Sequence, residues 1–138
     1  MTDLIQNIVS TLKTDAALAS LMNTSVPIKN LYVGAADVVK ESQSSLAFPM
    51  LIIHAISESY RTVPLNAKDS TIQIDIVSRN SEKEVHDIYE KIAALLNFKT
   101  TTKNNTWIAW QRGSGLSAQY SSETRLWQWS FDMTFWSV

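Results

Sequence analysis

The sequence predicts an α+β fold: a mostly antiparallel sheet of four to five strands, helices packed on one face, and one long β-hairpin. Three observations lead there. Apolar residues recur at helical spacing in Leu4–Leu12 and Val85–Leu95, but alternate strictly in Ile72–Ile76 and Trp127–Phe135. The polar stretch RTVPLNAKDS separates two strand-like runs, as a hairpin requires. The 138 residues hold no linker, repeat or low-complexity tract and suit one domain, 1–138.

Taken in order, Thr2 or Asp3 caps a first helix whose stripe is Leu4, Ile5, Ile8, Val9 and Leu12. Thr14-Asp15 looks like a second cap, opening either a short separate helix through Ala17, Leu18, Leu21 and Met22 or the second half of one bent helix. Val26-Pro27 leads into a short extended piece, Ile28 to Val33. Gly34 to Phe48 lacks a steady period and reads as a long loop with some helix. Pro49 opens a strand, Met50 to Tyr60, whose first half is apolar enough for burial on both faces. Arg61 to Ser70 forms the hairpin tip, and the return strand runs from Ser70 to Ser78 with Ile72, Ile74 and Ile76 on one face and Thr71, Gln73 and Asp75 on the other.

Ser81 and Glu84 form a capping box for a helix to about Asn97, with Val85, Ile88, Ile92 and Leu95 as its buried stripe. Lys83 with Asp87, and Asp87 with Lys91, are opposite charges four residues apart on its wet side. FKTTTKNNT reads as a polar loop, WIAWQ as a strand, and Arg112 to Gly115 as a turn or bulge before the closing strand.

Composition excludes several functions. With no cysteine there is no disulfide framework, thiolate metal site or cysteine nucleophile. A net charge of −1 gives no general attraction to nucleic acid or anionic lipid. Asp3, Lys13 and Asp15 interrupt the N-terminal apolar residues, so that segment reads as an amphipathic helix and not a signal peptide. No run approaches the roughly 18 apolar residues of a membrane-spanning helix, and no membrane partner is expected.

The sequence offers little chemistry. His54 lies among Ile52, Ile53 and Ile56 and reads as a satisfied sheet histidine. Glu82, His86 and Glu90 share one helix face at metal-ligand spacing, but the same positions form a solvated face with Lys83 and Lys91, so no metal is expected. Gly113-Ser114-Gly115 lacks the lysine and spacing of a phosphate loop, and no Gly-x-Ser-x-Gly elbow occurs. Trp107, Trp110, Trp127 and Trp129 lie near Lys103, Arg112 and Arg125, a weak case for stacking single-stranded nucleic acid. The expectation is a protein without catalytic residues or cofactor.

From Phe48 to Asn97 the chain resembles the tail terminator proteins of long-tailed bacteriophages, also called tail completion or head–tail joining proteins. The marks are TDAALASLM after a leading helix, the aromatic-proline pair Phe48-Pro49 before an apolar strand, a polar hairpin, an alternating strand ending in Ser78-Arg79, a helix, and two final strands. None is specific alone; together they cover most of the chain in order.

The resemblance implies a mechanical role. Subunits form a ring, typically a hexamer, on the head-proximal end of the tail tube, stopping its growth and offering the docking surface for the head. Partners would be further copies of the chain, the tail tube protein, and a neck connector or stopper. DNA passes the lumen without sequence-specific binding, and the protein resides in the virion after assembly in the host cytoplasm. Another neck or minor tail component, a stopper or tube subunit, is the alternative in the same setting. A small bacterial α+β enzyme or ligand-binding domain is the alternative from another class.

For subunit or tube contact, the hairpin tip offers Arg61, Pro64, Asn66, Lys68 and Asp69, with the Gly34–Ala47 loop as a second surface. The closing strand carries Trp127, Trp129, Phe131, Met133 and Phe135 on one face. Each aromatic buries roughly 150–250 Å², on the order of 4–6 kcal/mol gross. That face is therefore expected in the core. Trp136, on the otherwise polar opposite face, is the last candidate contact.

Overall fold

A computed structural model describes residues 2–34, 47–60, 68–96, 102–103, 106–107, 109–115 and 119–137. The first helix, α1, spans Thr2–Lys13 and α2 spans Ala16–Leu21. They are separate helices. The Asp15 carboxylate accepts the Leu18 N–H at 2.8 Å, which fixes a fresh N-terminus for α2. Strand β1 is Leu31–Val33, β2 is Met50–Tyr60 and β3 is Lys68–Ser78. Helix α3 covers Glu82–Leu96. The remaining strands are β4 (Thr102–Lys103), β5 (Thr106–Trp107), β6 (Ala109–Gly115), β7 (Gln119–Ser121) and β8 (Leu126–Ser137).

The main sheet runs β1-β2-β3-β8-β6, with β7 also on β8. Since β3 flanks β8 from Trp127 to Ser137, β7 lies on the β6 side, and the two form one interrupted edge line. Among the described residues, the only parallel pair in this sheet is β1 with β2. A parallel pair needs a crossover of a dozen or more residues, which residues 34–49 supply. The closing strand is thus interior to the sheet, paired on both sides, and its alternation follows from that place.

One sheet face shares the core with the helices. Its rows are Leu51, Ile76 and Trp129, then Ile53, Ile74 and Phe131, all buried, against Leu12, Leu18, Val85, Ile88 and Ile92. Met133 and Phe135 continue this face and are fully buried, whereas Trp127 is half-buried. The α+β expectation holds, as does the core placement of the last strand.

Several boundaries and faces differ from the sequence reading. β3 begins at Lys68, two residues before the expected Ser70, because the β2–β3 ladder extends to Tyr60 opposite Lys68. Thr71, Gln73 and Asp75 lie on the face opposite the isoleucines, as expected, and on that face Asp75 and Val77 are buried and Thr71 and Gln73 half-buried. In α3 the stripe rotates: Tyr89 and Leu96 are buried while Leu95 is half-buried. Tyr89 turns inward because it stacks on Trp129 at 4.1 Å and meets Phe131 edge-on at 4.9 Å.

Ser81 accepts the Glu84 N–H at 3.1 Å, but the Glu84 carboxylate reaches back to Ser78 and Asn80. Lys83 meets Asp87 at 2.7 Å as expected, whereas Lys91 approaches Asp15 at 3.9 Å. The expected irregularity at Arg112–Gly115 is present as a register shift on β8. Part of the stretch read as a polar loop forms the small β4–β5 ladder, and β7 was not anticipated.

Candidate interaction surfaces

Strands β2 and β3 form a long antiparallel hairpin, paired from Met50–Val77 to Tyr60–Lys68. A register shift between Ala55 and Ser57 marks a bulge, and bulges re-aim side chains; here Ile56 is 52% exposed between exposed Ala55 and Ser57. Of the residues proposed for contact, Arg61, Pro64 and Asn66 lie outside the described residues, as does most of the Gly34–Ala47 loop. The structure brings the other contact candidates together. Asp69 sits directly across the ladder from Trp136, and Lys68 across from Ser137. The β8 terminus and the base of the hairpin tip are therefore one corner of the molecule.

The sheet face away from the helices carries a polar cluster. His54 Nε2 lies 2.9 Å from Asp75 Oδ2, and Gln73 Nε2 donates to Asp75 Oδ1 at 2.8 Å. Asp75 is 7% exposed, so both carboxylate oxygens are satisfied where water is scarce. This is the satisfied sheet histidine expected from the sequence, with its partner now identified.

His86 is half-buried, 3.5 Å from Glu82 and edge-on to Trp129 at 4.8 Å. Among the described residues, no group of three His, Asp or Glu side chains converges. On the outer surface of α3, the Asp87 carboxylate raises the Lys83 ammonium above its ordinary pKa by hydrogen bonding and charge.

At the opposite end of the β2–β3 ladder, the Arg79 guanidinium lies 4.1 Å from the Phe48 ring centroid. Met50 pairs with Val77, so Phe48 and Arg79 each lie two residues beyond that last rung, at the same end of the ladder. These are the aromatic of the aromatic-proline pair and the arginine that follows β3. Sequence reading had both marks without their contact; their equal offset from paired strand ends was the available signal. Next to Phe48 is a groove of about 330 Å³ lined by Met22, Lys29, Asn30 and Tyr32. Asn30 donates to the Met22 and Pro49 carbonyls, tying this corner to the end of α2.

Two further surfaces escaped the sequence reading. An apolar groove of about 460 Å³ at the β1 edge is lined by Ile5, Gln6, Val9, Ser10 and Val33, with Val33 39% exposed. At the other sheet edge Tyr120 is 51% exposed, its ring 5.0 Å from Trp127. A tight turn follows it: the Arg125 N–H donates to the Ser121 carbonyl at 2.7 Å, with Arg125 at φ 58°.

No family model and no curated protein matches this sequence. Among solved structures, the fold is similar to a chain from the virion of a native gene transfer agent (GTA) particle. The TM-score is 0.62 at 9% sequence identity, over 94% of this chain and 90% of that one, so the likeness is one of fold from end to end.

Proposed function

We propose that this protein is a structural component of a phage-type virion, a terminator that caps the head-proximal end of a tail tube as a ring. The ring stops tube growth and presents the surface on which the filled head docks. The observation that carries this reading is the fold likeness to a GTA virion chain over nearly the full length of both. The order of marks from TDAALASLM through Ser78-Arg79, resembling terminators, supports the narrower role. The role is mechanical and non-catalytic. His54 and Asp75, the most catalytic-looking pair, are already engaged with each other and with Gln73 as a cross-strand brace.

Its neighbours in the particle are further copies of itself, the tube protein and a connector or stopper, with DNA passing through the lumen. The test is deletion of the gene from the phage or prophage that encodes it, with tails imaged by electron microscopy. Tubes of uncontrolled length without heads are expected. Tails of normal length joined to heads would refute the role. Tails of normal length lacking heads would instead favour a stopper.

A further inference from the structure

We propose that copies of this chain join head to tail, the Tyr120 edge of one copy seated on the α1–β1 edge of the next. This rests on the ring reading above and assigns its surfaces. A ring needs two different, complementary patches on each subunit, placed so that one contact repeats until it closes. The sheet supplies them at opposite edges: among the described strands, β1 ends it on one side and the β6/β7 line ends it on the other.

The patches match in layer and character. Val33 pairs with Ile53, and Tyr120 with Trp127, so both belong to the helix side of the sheet. One is part of an apolar groove with Ile5 and Val9; the other is an exposed aromatic knob. A Tyr side chain brings large contact area at low entropy cost, which suits it as an anchor.

Charge complements the apolar fit. Lys29, two residues before β1 and lining the groove beside Phe48, is exposed and has no carboxylate partner among the described residues. Glu123 is exposed in the turn after Tyr120 and has no cationic partner among them. Opposite charges on the two edges favour the head-to-tail arrangement over a two-fold one, which would bring each edge against itself.

The absence of cysteine makes the test clean. Virions are assembled with the full chain carrying Gln6→Cys, Ser122→Cys in the turn beside Tyr120, or both, then oxidised and run under denaturing conditions. Ser10→Cys, on the same groove, is the second variant should Gln6→Cys misfold. The double variant is expected to give a ladder of covalent multiples, and each single variant only monomer. Chains that stay monomeric in the double variants, within tails of normal length joined to heads, would overturn this interface and leave the capping role standing. Homodimers from either single variant would also overturn it. In the double-cysteine background, Lys29→Glu or Glu123→Lys is expected to cut cross-linking by about ten-fold, and the two together to restore it. Failure of the reversed pair to restore it would remove the charge contact from the interface.

Discussion

Arg79 and Phe48 hold together two chain segments that the ladder alone would leave to fray. Arg79 is exposed, so the contact is a surface cation–π pair of about 0.5–1 kcal/mol. A cycle of Arg79→Ala, Phe48→Leu and both, measured by urea unfolding, is expected to return a coupling of that size. Additive single effects would mean the ring and guanidinium do not interact. Asp75 works at higher stakes because it is buried. Asp75→Ala strands the His54 and Gln73 donors, and a loss of about 1–3 kcal/mol is expected by the same measurement. Sequence reading found His54 satisfied but could not find its partner. The two residues are far apart in sequence and meet only through strand register.

The C-terminal strand shows what an element's place in the sheet demands. β8 is paired on both sides, and its odd-numbered residues from Trp129 to Phe135 are buried under α3 and its neighbours. Phe131→Ala removes one ring from a packed cluster with Tyr89 and Trp129 and is expected to cost about 3–5 kcal/mol, read as a fall in the urea midpoint. Periodicity was enough to put this face inside, because a strand has only two faces. It was not enough for α3, whose stripe turned to bring Tyr89 against Trp129 and left Leu95 half-buried. Helical spacing leaves a margin of one position, and the neighbouring sheet chooses within it. On the outer face of β3 alternation assigns the side but not the burial: Asp75 lies opposite the isoleucines, yet it is buried with its partners beside it.

At the scale of the whole molecule, a packed α+β body carries a long hairpin with a bulge in its first strand and two sheet edges of contrasting character. If the hairpin tip contacts the tube, replacing residues 61–67 with a short glycine turn leaves thermal stability nearly unchanged and yields uncapped tails. Tails of uniform, normal length from that variant would remove the tip from the contact. By itself, the sequence determined the helices, the long hairpin, the buried face of the last strand and the lack of a charge or cysteine basis for many functions. Those properties are local: period, turn chemistry and composition act over a few residues. Tertiary structure alone decided the β1–β2 parallel pairing, the interior place of β8, the union of Phe48 with Arg79, and the opposite placement of Tyr120 and the Val33 groove. Each depends on which distant segments become neighbours, and strand order with register sets that.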